Sequence, residues 1–268
     1  MMKQFVTQIS SSSISLPFDL WVPATDTVKP QTAHQGAVGI FKNFFNDRYE
    51  ASFETYYKYM TNQVDYKEGT NFFFNSNYQG ALVFGKGWSY GGEFYFRKRE
   101  GRFTGWLSYT LAWSRRQFDD LNGGKPYAFK YDRRHNLSLV AIYNFNERWS
   151  FSSVFIYQTG SALTLPEGRL FVPVYGWTDN FSWYNDYTAK NGYRLKAYNR
   201  LDIGLRYKAG KKLKSEFHID IYNVYNRRNP FFVYMTQEKD PRSNGTKFTA
   251  KQISLLPVIP SVSYNFSF

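Results

Sequence analysis

Three histidines stand in the chain, His34, His135 and His218, and only His218 has neighbours that suggest chemistry. Asp220 follows it by two positions and Ser215 precedes it by three. A serine, an imidazole and a carboxylate are the parts of a nucleophilic hydrolase. On a membrane-facing strand such a Ser–His pair would read as a phospholipase. No GxSxG or comparable signature supports it. The other charged cluster, Asp132-Arg133-Arg134-His135, sits at the start of a strand-like stretch. No catalytic residue is expected. Cysteine is absent, which removes thiolate metal ligands, disulfides and Cys nucleophiles together. Calcium requires a dense Asp/Asn loop, and Asp179-Asn180 with Asn185-Asp186 are too sparse for one. No metal or cofactor site is expected either.

Two groups of residues invite a binding role instead. Glu50, Glu54, Glu93, Asp202 and Asp220 fall in phase with Lys58, Arg97, Arg206 and Lys208 on polar strand faces. They make either a ligand-guiding wall or charge pairs in a wet interior. Trp177, Phe181, Trp183, Tyr184 and Tyr187 crowd a long loop. Exposed rings of this kind stack on sugars or flat chelates, or pack on one another.

The elements that position these residues are strands. Aromatic residues make up 21% of the chain, yet mean hydropathy is −0.53, so the rings must alternate with polar residues. They do: in residues 86–98, Trp88, Tyr90, Phe94 and Phe96 share one face, and Gly91, Glu93, Tyr95 and Arg97 the other. RLDIGLRYK and EFHIDI repeat the pattern. This is strand spacing with one apolar and one polar face. Nine strands are expected, at about 34–45, 48–62, 86–98, 102–115, 133–145, 148–158, 197–209, 212–226 and 249–268. Short polar turns at Asn46-Asp47-Arg48, Arg99-Glu100-Gly101-Arg102, Asn146-Glu147-Arg148 and Gly210-Lys211-Lys212 alternate with long connections near 63–85, 116–131, 159–196 and 227–248. That rhythm is the one of an outer-membrane β-barrel, with short periplasmic turns and long extracellular loops. A secreted β-sandwich is the competing architecture.

No apolar run reaches the ~18 residues of a membrane-crossing helix, and the N-terminus lacks a signal-peptide core. Net charge is +13. The basic residues lie at turns and strand ends without any nucleic-acid-binding pattern. Nucleic acid is therefore not an expected partner, whereas lipopolysaccharide phosphates near the rim are. Nine strands with the first entering from outside imply the back portion of a larger barrel, because bacterial single-chain barrels are even-numbered. Residues 1–33 are expected as an extracellular loop-like segment and 34–268 as the C-terminal part of the barrel.

Several segments resemble the C-terminal barrel of TonB-dependent outer-membrane receptors in the form found in Bacteroidota. They include VKPQTAHQGAVGIF (28–41), GKGWSYGGEFYFRKREGRFTGWLSYTLAWS (85–114), NRLDIGLRY (199–207), FHIDIYNVYNRRNPFFVY (217–234) and LLPVIPSVSYNFSF (255–268). The ending is closer to receptors with a carboxypeptidase-regulatory-like N-terminal domain than to the SusC branch. The resemblance implies an all-β, antiparallel transmembrane segment of a twenty-two-stranded barrel, without the plug, TonB box or signal peptide. It implies import of a scarce ligand (chelate, vitamin, peptide or glycan) in the bacterial outer membrane, and no enzyme. TonB would be reached only through the missing portion or a partner chain. A truncated or split barrel subunit with a structural role is the alternative; a secreted sandwich binding module is the second.

The last strand, SVSYNFSF, places Val262, Tyr264, Phe266 and Phe268 on one face. This resembles the signal by which barrel-assembly machinery recognises its substrates. It sets the end of the chain at the periplasmic edge and reads as an authentic C-terminus.

Overall fold

The computed structural model describes residues 1–10, 19–67, 78–166, 168–173, 181–187, 189–210, 214–239, 241 and 245–267. Trp177, Phe268, the Asp179-Asn180 pair and the turn residues Lys211-Lys212 lie outside them. Nine strands make a single antiparallel meander: β1 (Gln31–Phe44), β2 (Tyr49–Tyr66), β3 (Leu82–Lys98), β4 (Phe103–Phe118), β5 (His135–Asn144), β6 (Trp149–Gln158), β7 (Tyr198–Ala209), β8 (Ser215–Tyr222) and β9 (Ile259–Phe266). Each pairs with the next in sequence, and Met2–Gln4 adds to the free side of β1. Within the described residues the two ends of the sheet do not pair.

Register turns the alternation of each strand into two continuous faces. Ile40, Phe53, Phe94, Tyr109 and Leu137 stand opposite one another in a row across β1 to β5. Leu139–Phe155–Leu201, Ile203–Ile221 and Ile219–Val262 carry the same face to β9. The other face reads Glu54, Glu93, Thr110, Asn136 along a matching row. A one-residue slip anywhere would exchange the faces, so the pattern pins the register.

The apolar face is bare. Ile40 is 73% exposed, Phe53 52%, Ile219 52% and Val262 75%. A β-sandwich would bury this face under a second sheet. The described residues place none there, so the expected sandwich alternative is corrected: this is one sheet with an uncovered apolar side. Buried apolar residues gather instead at the end with the long connections. Val22, Val28, Tyr66 and Leu82 form one cluster, and Val83, Phe118, Leu121 and Tyr127 another.

Rings edge the apolar band at both ends. Near the short turns, Tyr49 lies 5.6 Å from Phe44 and 5.9 Å from Phe96, Trp149 4.6 Å from Tyr207, and Phe217 4.6 Å from Tyr264, between ring centroids. Toward the other end Tyr90 stacks between Tyr57 and Trp113. From Tyr49 to Tyr59 on the same face is about 34 Å of strand. At a tilt near 40° that projects to about 26 Å, the height of the apolar band of a membrane barrel.

The short turns are built locally. Phe45, Asn46 and Asp47 all take positive φ, and the Asn146 side-chain oxygen accepts from the backbone N–H groups of Arg148 and Trp149 at 2.9 Å. Four short connections lie at one end and four long ones at the other, as the sequence rhythm implies.

Two boundaries differ from expectation. The last strand does not run over 249–268. Thr246–Ile253 pairs with Phe232–Lys239 in a separate ribbon, and β9 begins only at Ile259. Pro257 lies just before β9, and proline cannot donate to a ladder; Pro260 is already within β9, opposite Ile221. Residues 1–33 are also less loop-like than expected, since Val6–Ser10 and Asp19–Pro23 form a hairpin beside the Met2–Gln4 strand.

Candidate functional site

Function in such a sheet belongs to its polar face and to the connections that cap it. On the polar face some of the charges are paired. Glu50 binds Arg99 at 2.7 Å rather than its cross-strand partner Arg97. Glu216 takes Lys208 at 3.6 Å and the His218 Nε2 at 3.3 Å, and Arg206 Nε donates to Ser150 Oγ at 3.0 Å. Arg200 lies 4.4 Å over the Tyr222 ring and donates to its hydroxyl at 2.8 Å. Its Nε is 2.9 Å from Asp202 Oδ2 but out of line for a hydrogen bond. Glu54 and Glu93 face each other across β2 and β3. Among the described residues neither forms an ion pair.

The hydrolase set suggested by sequence is split by the sheet. His218 and Asp220 point to the polar face. Ser215, three residues away, points to the other, where its Oγ accepts the Tyr264 hydroxyl at 3.1 Å. Asp220 leans instead across the bare backbone of Gly204, where a Cβ would strike its carboxylate. Asp132 is buried and ion-paired to Arg194, and its Oδ1 accepts the backbone N–H of Ser114 at 2.7 Å. Among the described residues no group of three or more metal-ligating side chains occurs.

At the other end the connections are tied down. Lys190, with its side chain 4% exposed, reaches Asp65 Oδ1 at 3.3 Å and sits 4.6 Å over the Tyr66 ring. Tyr127 donates to the other Asp65 oxygen at 2.8 Å. The next residue, Asn191, donates to Ala128 O at 2.9 Å and, through its backbone, to Thr164 Oγ1 at 2.9 Å. Arg194 closes the row on Asp132 and Gly160 O. One short stretch, 190–194, thus holds the β2, β4–β5 and β6–β7 connections together.

A second tie follows β8. In YNVYNRRN the asparagines at 223, 226 and 229 each bond to backbone. Asn223 is 1% exposed and takes φ 54°; its amide donates to Arg227 O and Leu256 O at 3.0 and 3.2 Å and its oxygen accepts from Arg227 N at 3.1 Å. Asn226 Oδ1 accepts from Val258 N at 3.2 Å. Asn229 bonds both backbone groups of Asn199 at 3.0 and 2.8 Å. The knuckle fixes the ends of β7 and β8 against the approach to β9.

Of the loop rings singled out by sequence, Phe181, Trp183 and Tyr184 lie on the strand Phe181–Asp186, opposite Pro173, Phe171 and Leu170. Trp177 is outside the described residues. Val262, Tyr264 and Phe266 sit on the apolar face of β9, 75%, 51% and 62% exposed; Phe268 is not described. Sequence reasoning missed Lys190, Arg194 and the asparagine knuckle. The three-residue spacing of the asparagines was a usable signal, since Asn favours turns and positive φ. Lys190 carried none.

Comparison with known proteins agrees with this geometry. A family model described as TonB dependent receptor-like, beta-barrel matches residues 11–226. Among solved structures, the ferric-catecholate import receptor Fiu of E. coli K12 aligns with TM-score 0.55 at 15% identity, over 90% of this chain and 28% of that one. The ferripyoverdine receptor of Pseudomonas aeruginosa aligns with TM-score 0.58 at 14%, over 91% and 29%. The copper transporter OprC aligns with TM-score 0.54 at 15%, over 91% and 32%. The chain therefore spans about a third or less of the length of each. No curated protein matches it in sequence.

Proposed function

Because the chain belongs to the TonB-dependent receptor-like β-barrel family, we propose that it forms the C-terminal wall of an outer-membrane import barrel. The observation that carries this is the pair of continuous faces: an uncovered apolar band about 26 Å high backed by a charged polar face, with every long connection at one end. The apolar band meets lipid. The polar face lines the lumen, where Glu54 and Glu93 are left for the rest of the receptor to pair. Short turns point to the periplasm and the tied connections to the outside.

The cargo is a scarce ligand, a chelate, vitamin, peptide or glycan. Metal chelates come first, because Fiu and the ferripyoverdine receptor handle ferric chelates. TonB drives the step through portions of the receptor beyond this chain. The sequence pattern of Val262, Tyr264, Phe266 and Phe268 serves recognition by barrel-assembly machinery. The Bacteroidota form with a carboxypeptidase-regulatory-like domain is the branch we favour, on the quoted sequence stretches.

Uptake tests the proposal. Cells carrying the gene are compared with cells from which this segment has been excised, using a panel of labelled ferric chelates with and without a proton-motive-force uncoupler. Energy-dependent uptake lost on excision supports import. Unchanged uptake across chelates, vitamins, peptides and glycans would favour a structural subunit.

A further inference from the structure

On the apolar face one row lies low. Thr55 on β2 and Gly92 on β3 stand side by side, and rings rise on either side of them, Phe94 and Tyr109 toward the short turns, Tyr90 and Trp113 toward the rim. The result is a groove across β2 and β3, ended on the β4 side by Leu111 opposite Gly92. The Thr55 hydroxyl at its floor is spent on Gly91 O at 3.0 Å.

The two adjacent glycines have different reasons to be there. A Cβ on Gly91 would meet Leu111 O at 2.5 Å and the Ala112 Cβ at 2.8 Å, so the wall itself forbids a side chain. A Cβ on Gly92 would meet the Phe53 ring edge at an ordinary 3.4 Å and Glu54 O at 3.9 Å. Neither packing nor φ requires glycine at 92. A strand loses entropy and contact area at such a residue, yet the space is kept open.

Charge stands two rows above it, beyond the Tyr90–Trp113 row. Arg115 is opposite Trp88, one row nearer the rim than Trp113, and Lys86 lies diagonal to Arg115 on the same outward face. Among the described residues neither pairs with a carboxylate. Two like charges at diagonal positions repel; a phosphate between them turns that repulsion into charge-assisted hydrogen bonds. The row Tyr59–Trp88–Arg115 is also the upper limit of the apolar band, where lipid headgroups begin.

We propose that this face is a docking site for a phosphorylated, acylated lipid of the outer leaflet, with an acyl chain in the groove at Gly92 and its phosphate between Lys86 and Arg115. The site rests on the barrel reading above and on the long connections facing outward. It is tested with the whole receptor that contains this segment, in nanodiscs holding trace amounts of a bisphosphorylated, acylated glucosamine disaccharide, or of the same molecule stripped of phosphate. Retention through detergent exchange is read by native mass spectrometry. The wild-type receptor should keep the phosphorylated form about tenfold better. The K86A/R115A pair should erase that preference, and Gly92→Leu should lower retention of both forms by about tenfold. Equal retention of the two forms by the wild type, or unchanged retention in the variants, overturns the site while leaving the barrel intact. A receptor containing this segment that never enters the bilayer overturns the barrel reading and the site with it.

Discussion

Lys190 Nζ lies 3.3 Å from Asp65 Oδ1 although 125 residues separate them in the chain. The pair joins the β6–β7 connection to the rimward end of β2, with Tyr127 on the other carboxylate oxygen. A pair this sheltered costs more to break than it contributes when formed, because the survivor stays buried and unmatched.

Lys190→Met is therefore expected to destabilise the rim by about 2–3 kcal/mol. Cleavage within 159–197 under limited proteolysis should speed up several-fold, with insertion unaffected. Adding Asp65→Asn should cost less than the sum of the single changes, since the residues share one interaction. An unchanged cleavage rate in Lys190→Met contradicts the clamp.

Asn223 makes three side-chain hydrogen bonds at 1% exposure and φ 54°. Asn223→Ala loses all three and adds strain at positive φ, so a loss of about 3 kcal/mol is expected. Asn223→Gly relieves the strain alone and should recover about 1 kcal/mol. Urea unfolding midpoints in micelles measure both. Equal losses in the two variants would remove the conformational part of the account.

Gly91→Ala should lower stability by about 2 kcal/mol or more, because its Cβ would overlap the β4 backbone. Gly92→Ala should stay within about 0.5 kcal/mol of wild type. Comparable losses at the two positions, read from thermal unfolding, would mean that Gly92 is needed by the wall itself.

Most of the wall is legible in the residue pattern alone, and the reason is physical. Strand alternation is a local signal, and eight of the nine strands lie where period-2 spacing places them, with ends a few residues off. The failures mark where local signals stop. Thr246–Ile253 carries only a weak alternation, with Phe248 and Ala250 on one face and Ile253 on the other, and it pairs with Phe232–Lys239; strand character does not name a partner. The Ser215–His218 pair is attractive as spacing, but a separation of three puts two strand residues on opposite faces. Lys190 acquires its meaning only from Asp65 and Tyr127, which are remote in sequence. The candidate site is readable as a polar face and a ring-rich loop, while the ties that organise the rim are tertiary.

The end of β9 yields a prediction about assembly. Truncation after Ser267, or Phe266→Ser, should lower the yield of membrane-inserted, heat-modifiable protein without changing which ligand is bound. Phe266 is 62% exposed on the apolar face, so its loss opens no cavity in the folded wall. An unchanged yield would count against the terminal strand as an assembly signal.

The central claim is that one face of this sheet meets lipid and the other water. Cysteine is absent from the chain, so single cysteines can be placed along β8 at 216 through 221, spin-labelled, and probed in bilayers by collision with oxygen and with a water-soluble nickel chelate. Labels at 217, 219 and 221 should be reached by oxygen and shielded from nickel, and labels at 216, 218 and 220 should show the reverse. Nickel access to all six positions, or no alternation between them, would contradict the account.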